Sequence, residues 1–536
     1  ELKRDESGSG ADWQSIKYAS YCSNFTHEEI YRIYAEYMGA DEDESELKIE
    51  NFINEEPEKL NDSQRIILAS KEFHSDVASA VLWIMQDAAF RRKVKLLEAA
   101  MNARGYGSIP SELCYWITFL TKVLPLRSVG TFIELLIGAM LTPQGFVTEA
   151  VLLLDMKNHW TSYYKWLQQG RWSWLALARQ FTRLLLRLNP ATVIYLIIDD
   201  TLTLRASKKA PGSQIHHQHG NKPNLARYVR GQCWVSLAAV IEQGSRSVAV
   251  PLLSRLIPSA SNTGKLVAAN TLMRAMGPLF SGRKIRLLLD SWYMRKVLIQ
   301  RQCAQGVHVV GQVRIDTRLY DEPPTPSAKR RGRPRKYGRQ YTGKRIAHLP
   351  RTEAKLTVYG KAQPVRYRSK IVKARFLDGQ RVRAVWCELL DKQGQWRKPT
   401  LLLSTDTRLS AEQVMESYSL RWSIEPMFKQ LKQAWGLKEA WQQTRQTLHR
   451  WVQLTMTGYG LIQLLSCYAP SSAELLCQSM PWRRNSPVTA GTIRTELTRH
   501  FRHVAVRRWW DKKCKKFWPP DKANHPAQWP DWLKAG

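Results

Sequence analysis

The richest chemistry in this chain lies in Tyr418-Ser-Leu-Arg-Trp-Ser-Ile-Glu-Pro-Met-Phe-Lys-Gln-Leu-Lys432. One acid, Glu425, stands there among bases and aromatics. Tyr418, Arg421, Glu425 and Lys432 follow one another at intervals of three, four and seven. Ser423 is placed to N-cap a short helix, with Pro426 tolerated in its first turn. Glu425, Phe428 and Lys432 then run along one helix face. A lone carboxylate in that setting needs a partner, and a divalent cation is one. Two upstream runs offer it company. Val193-Ile-Tyr-Leu-Ile-Ile198 is continuously apolar, the mark of a strand covered on both faces, and it ends in Asp199-Asp200-Thr201. Ile285-Arg-Leu-Leu-Leu289 is a second such strand and ends in Asp290. Carboxylates at the end of a buried strand are costly unless they are hydrogen-bonded or bind metal.

Asp200, Asp290 and Glu425 are oxygen donors of the kind that suit Mg2+ or Mn2+. Two such ions roughly 3.5–4 Å apart carry out in-line phosphoryl transfer, one activating water or a 3′-hydroxyl and the other stabilising the leaving oxygen. Arg421 and Lys432 are placed to add positive charge for the phosphate.

The Tyr-x2-Arg-x3-Glu-x6-Lys spacing is met in full by Tyr418, Arg421, Glu425 and Lys432. With it the chain resembles the DDE transposases of bacterial insertion sequences, in the cut-and-paste superfamily that carries this signature. Trp422 also fits the pattern. The first acid of that family precedes a Thr after an apolar strand, which selects Asp200 over Asp199; the second ends a later apolar strand, which selects Asp290. The resemblance covers roughly residues 110–470. It implies a ribonuclease-H-like catalytic core, metal-dependent cleavage of double-stranded DNA at element ends, attack of the freed 3′-hydroxyl on target DNA, and a homodimer that pairs the two ends. It also implies a bacterial protein of the cytoplasm, associated with the nucleoid. In relatives a Trp of the insertion traps a flipped base, and Trp396 is the nearest candidate. A packed hairpin Trp is the plainer reading of that residue. Asp199 is read as an acid beside the ligands, a further ligand, or a strand-end residue bonded to backbone amides.

These residues must be positioned by a long and unevenly charged chain. It has 536 residues, 44% of them hydrophobic, and a formal net charge of +35. That length predicts several domains. Residues 1–100 hold 21 acids against 12 bases, and the rest holds 25 acids against 69 bases, a net of +44. The basic body calls for a polyanion as partner. The eight cysteines form no CxxC pair, which argues against a zinc ribbon or disulfide framework and suits a reducing compartment. No signal peptide is visible, and the chain opens on Glu1 as a trimmed sequence would. Trp451–Tyr468 is uncharged but carries Gln, Thr, Ser and Gly, so a buried helix is expected there and no membrane span.

The expected fold class is α/β: a ribonuclease-H-like core with a β-rich insertion, flanked by helical N-terminal domains and a basic C-terminal region. Residues 1–105 are expected to be a helical, acidic accessory domain, with a capping-box start at Thr26 and a long helix over Ser63–Asn102. Residues 106–190 form a helical DNA-binding domain. In it Val129–Met140, the turn at Thr142-Pro-Gln-Gly and Phe146–Leu154 make a helix-turn-helix layout. A plain bundle with its Trp residues inside fits as well. The core occupies 191–316 and 406–470, split by the insertion at 317–405. The insertion opens on the basic run Lys329-Arg-Arg-Gly-Arg-Pro-Arg-Lys336. Its Arg331, Arg333, Arg335 and Lys336 resemble an AT-hook laid in a minor groove, while a solvated loop beside DNA phosphates is the reading preferred. Residues 471–536 are expected to be a basic arm. His216, His217 and His219, with Lys208, Lys209, Lys222 and Arg227 nearby, are read as a DNA-contacting loop; their spacing matches no common zinc site. Two rival functions remain at this level: a catalytically silent DNA-binding regulator, and a ribonuclease-H-like nuclease without strand transfer.

Overall fold

The computed structural model describes residues 26–39, 41, 43, 48, 109–217, 226–243, 246–257, 262–325, 335–391, 393–477 and 487–520. The chain divides into two compact units, Glu1–Gly105 and Tyr106–Gly536. In the first, helix α1 (His27–Met38) starts as its sequence predicts. Thr26 accepts from the Glu29 backbone N–H, and the Glu29 carboxylate accepts from the Thr26 N–H. The helix expected over Ser63–Asn102 lies outside the described residues.

The second unit begins with five helices: α2 (Ser111–Thr121), α3 (Val129–Leu141), α4 (Val147–Leu153), α5 (Trp160–Gln169) and α6 (Trp174–Leu188). Then come β1 (Val193–Leu204), β2 (Ser213–His217), β3 (Tyr228–Gln243), β4 (Arg246–Leu256), α7 (Asn262–Met276), β5 (Lys284–Leu289), α8 (Lys296–Cys303) and β6 (His308–Val313). The sheet centre runs β4–β3–β1–β5–β6. β1 pairs parallel with β5 and β5 with β6, while β3 is antiparallel to β1 and β4. Parallel strands are covered on both faces, and the apolar runs of β1 and β5 follow from that.

The insertion holds β7 (Leu319–Tyr320), α9 (Gly343–Ala347), β8 (Thr352–Val358), β9 (Lys361–Ala374), β10 (Gln380–Leu389) and β11 (Thr400–Ser404). It makes no sheet of its own. β11 pairs antiparallel with β6 and β10 with β11, so these strands extend the central sheet. After it come α10 (Ala411–Ser419), a short 3-10 turn over Leu420–Ser423, α11 (Ile424–Ala434), α12 (Arg445–Tyr468), α13 (Pro470–Cys477), α14 (Ala490–Phe501), and the hairpin β12 (Trp510–Asp511) and β13 (Lys516–Phe517).

Helix α12 lies between β4 and α3 and is buried along nearly its whole length, which explains why its stretch from Trp451 onward carries no charge. No helix among the described residues is long and apolar enough to cross a membrane. The Arg450 guanidinium on α12 donates to the carbonyls of Leu167, Gly170 and Trp172 at 2.7–2.8 Å. It thereby ties the chain between α5 and α6 to the core.

The helix-turn-helix order is present in α3 and α4, but every residue of α3 is buried. The turn between them is docked against the end of α11. Trp451 Nε1 donates to the Gly145 carbonyl at 2.8 Å and Trp435 Nε1 to that of Met140 at 3.0 Å. Gly145 meets Gly436 backbone to backbone, and Gly436 has φ +65°, a left-handed conformation that suits glycine. A Cβ on Gly145 would overlap the Gly436 carbonyl oxygen and stand 2.7 Å from the Ala440 nitrogen. Backbone cannot yield there as a flexible side chain would. Gly145→Ala is expected to cost about 3 kcal/mol, read as a lower midpoint in urea unfolding. An unchanged midpoint would show that the turn does not hold α11.

Residues 487–520 fold onto the helices: the Phe517 N–H donates to Thr118 Oγ1 at 3.0 Å, and Arg507 pairs with Glu134 at 3.1 Å.

Candidate active site

The β1–β5 register decides which acids meet. Ile198 stands opposite Leu289, so Asp199 and Asp290 emerge side by side at the ends of neighbouring parallel strands. Side chains alternate along a strand, so residues of matching parity share a face. Tyr195 and Arg286, four residues earlier on each strand, mark that face: Arg286 donates to the Tyr195 hydroxyl at 2.8 Å, and that hydroxyl is 3.3 Å from Ser417 on α10. It is the face on which the signature lies. Arg421 Nη1 stands 3.1 Å from Asp199 and 4.0 Å from Glu425. Asp290 is fixed by the backbone N–H groups of Trp292 and Tyr293, at 3.0 and 2.9 Å.

Asp200 points to the other face of β1. There it pairs with Lys265 of α7 at 2.7 Å, accepts from the Tyr293 hydroxyl at 2.9 Å, and lies 3.3 Å from the Cys233 thiol. The selection of Asp200 from the Thr that follows it therefore does not match the geometry. Strand alternation gives the shared face to Asp199, and Asp200 is taken up by an ion pair. The sequence singled out neither Lys265 nor Tyr293, and it offered Asp199 only as an acid beside the ligands, a further ligand or a strand-end residue. The signal for Asp199 is the matched parity of Tyr195-x-Ile197-x-Asp199 and Arg286-x-Leu288-x-Asp290.

The folded segment places two of these acids at adjacent strand ends, and its sequence has a known counterpart. Residues 131–373 match the family model of the DDE superfamily endonuclease. The DDE match takes in Asp199, Asp200 and Asp290 and ends before Glu425. The chain is also similar to the piggyBac transposase in a cryo-EM structure of its synaptic complex with hairpin DNA. The identity is 11% and the TM-score 0.27, over 61% of this chain and 60% of that one, a likeness too slight to carry an argument. No curated protein matches the chain.

The residues fit a hard divalent cation in part. Burial, and then the charges of Asp290 and Asp200, push the Asp199 carboxyl up to about 8, against the pull of Arg421. Burial also pushes Asp290 up, although the Tyr293 N–H and Arg421 pull it down. Two carboxylates short of positive charge are a donor set for Mg2+ or Mn2+. Glu425 is 48% exposed, and its carboxylate lies 4.0 Å from Arg421 Nη1. Among the described residues no three acids, histidines or cysteines are gathered closely enough to hold a metal. Asp199 and Asp290 thus stand as a pair at neighbouring strand ends, with Glu425 outside it.

A consequence follows for the metal-free protein. An unfolded Asp titrates near about 3.9, and Asp199 titrates at about 8 in the fold. The folded state therefore holds the proton more tightly. The associated stability is in place below about pH 4 and is lost as pH rises towards 8. In chelator the melting temperature is expected to fall across that window, and Asp199→Asn should remove most of the fall. An equal fall in the variant would contradict this.

The remaining signature residues support Arg421. Tyr418 is buried, and its hydroxyl donates to Gln312 Oε1 at 3.1 Å. Burial pushes that phenol up to about 12. Its ring lies 5.8 Å from the Arg421 guanidinium, so it positions the arginine and presents no free hydroxyl to DNA. Lys432 is half-buried, two turns and roughly 10 Å beyond Glu425 on the same helix face. Ser423 does not N-cap α11. The chain is already helical there, with Ser423 at φ −60°, and its hydroxyl donates back to the Leu420 carbonyl at 2.8 Å.

The outer candidates stand elsewhere. Trp396 pairs with Leu390 in a hairpin, and its ring is covered by the Arg366 guanidinium at 4.5 Å. His217 ends β2, is exposed, and accepts from Arg227 at 3.0 Å. Arg335 and Lys336 are exposed, with the Lys336 ammonium 5.9 Å from the Tyr337 ring. Arg331, Arg333, His219 and Lys222 lie outside the described residues. Instead, the β8–β9 hairpin brings Tyr359 edge-on to Trp422 at 6.3 Å, two half-exposed rings beside Arg421.

Proposed function

We propose that this chain is a DDE transposase: a metal-dependent DNA endonuclease and strand transferase acting at the ends of a bacterial insertion sequence. The observation that carries the reading is the parallel register that sets Asp199 beside Asp290 beneath Arg421 and Glu425. The strand order β4–β3–β1–β5–β6 supports a ribonuclease-H-like core, and the DDE endonuclease match supports the reaction class. The net charge of +35 supports double-stranded DNA as partner. A homodimer would hold two ends at once.

In this reading Asp199 and Asp290 form the fixed half of a divalent-ion site and Glu425 completes it from α11. The bound ions would supply Lewis acidity at the scissile phosphate and an activated water or 3′-hydroxyl. Arg421 turns from the acids to the incoming phosphate, where its fork suits two oxygens. Tyr418, fixed by Gln312, limits where Arg421 can go. Lys432 meets the backbone further along the same helix face. Asp200, Lys265 and Tyr293 brace the far side of β1. Tyr293 links both acid positions, through its N–H to Asp290 and its hydroxyl to Asp200.

The test is incubation with Mg2+ of a plasmid that carries the ends of the parent element. The expected result is cleavage at the ends and joined products in a second plasmid. Cleavage without joining would leave a plain nuclease. Binding without cleavage would leave a silent regulator.

A further inference from the structure

A second basic site lies on the helical side of the molecule. The loop before α3, the loop after α4 and the chain entering β12 enclose a cleft of about 660 Å3. Arg127, Lys157, Arg507, Arg508 and Lys512 line it, with Asp155 as its one acid. Arg507 is already neutralised: it crosses Gly130 to reach the fully buried Glu134 at 3.1 Å. Arg127, Lys157, Arg508 and Lys512 are exposed, and none of the four is ion-paired among the described residues. Trp510 forms part of the wall, and its buried Nε1–H has no acceptor among the described residues.

We propose that this cleft binds the sugar-phosphate backbone of duplex DNA, as a contact separate from the catalytic acids. Four solvated cations on three loops give a surface with one opposing acid. The cleft's volume of about 660 Å3 and its four cations exceed what one phosphate needs, and a strand presents a phosphate about every 3.4 Å of helix axis. Backbone contacts of this kind position DNA without reading its sequence. The lining comes from two segments far apart in the chain, residues 126–157 and 505–512. The C-terminal segment is thereby part of a folded binding surface, with Arg507 as the strut that holds the two sides together. The proposal rests on the reading of the chain as a DNA enzyme, but not on which acids cut.

The test is the salt dependence of binding to a fluorescent duplex of mixed sequence. The proteins compared are wild type and a full-length variant with Arg127, Lys157, Arg508 and Lys512 each changed to Ser. Each phosphate contact contributes about 0.9 to the slope of log K against log salt. The variant is expected to bind more weakly at every sequence, with a slope shallower by about 3 to 4. A milder variant, Lys157→Ser with Arg508→Ser, should lose about half as much and guards against misfolding of the fourfold change. Melting temperatures within about a degree or two of wild type accompany the expected result. An unchanged slope in both variants, with wild type binding well, overturns the cleft and leaves the functional reading intact. Failure of wild type to bind any duplex overturns both.

Discussion

Asp199→Asn is expected to abolish Mg2+-dependent cleavage, by about a thousandfold or more, while leaving the fold as stable as wild type or more so. The substitution would remove an oxygen ligand, and it removes a carboxyl that burial, and then the charges of Asp290 and Asp200, push up. Asp200→Asn should behave in the opposite way. It leaves Lys265 facing a neutral amide in a setting where both side chains are only 19% exposed. Breaking a largely buried pair costs about 3 kcal/mol, so the melting temperature falls. Cleavage by the folded fraction persists at a reduced level, because Asp200 is paired with Lys265 on the other face of β1 and acts on the acid pair through its charge and through Tyr293. The two variants therefore separate a ligand from a brace when activity and melting are measured on the same preparations. An Asp200→Asn protein that melts like wild type and cuts nothing, beside an active Asp199→Asn, would reverse the assignment.

The second large effect concerns Arg421. Its guanidinium lies between Asp199 and Glu425, two of the carboxylates proposed to hold the ion. In the proposed site the arginine and the ion would compete for these carboxylates when DNA is absent. Arg421→Ala should tighten Mn2+ binding to the DNA-free protein by about tenfold, which corresponds to about 1.4 kcal/mol. The same variant should cut DNA about a hundredfold more slowly, because the phosphate has lost its charged fork. Titration calorimetry with Mn2+ reads the first effect and end cleavage reads the second. Weaker or unchanged ion binding would mean that Arg421 organises the acids and does not stand in for a cation.

Much of this arrangement is legible in the sequence. The apolar runs ending at Asp199 and Leu289 become β1 and β5, and the signature falls on α10, the 3-10 turn and α11 as its spacing requires. Local pattern suffices there, because burial on both faces and helical period leave their mark residue by residue. The choice between Asp199 and Asp200 was not local. It depends on the register between strands ninety-one positions apart, and a one-residue change of register exchanges the faces. The Thr after Asp200 pointed one way, and the matched parity of Tyr195 with Arg286 points the other. Ser423 misled for a related reason. Serine before an acid reads as a cap, but here the preceding turn is already helical and takes its hydroxyl. The insertion reads as β-rich from alternation alone. That β11 joins β6 could not be read, since edge pairing leaves no signature in either strand. Likewise the order of α3 and α4 gives a helix-turn-helix pattern, while the docking of its turn on Gly436 is a tertiary fact.

The central claim is that Asp199 and Asp290 form the fixed half of a divalent-ion site, completed by Glu425 once Arg421 has turned to DNA. The most direct measurement is anomalous diffraction from crystals of the protein with end DNA and Mn2+. The account predicts a peak bridging the Asp199 and Asp290 carboxylates, with Glu425 drawn in and Arg421 on a phosphate. A peak at Asp200 with Lys265 displaced, or full cleavage with no ion near Asp199, would contradict it.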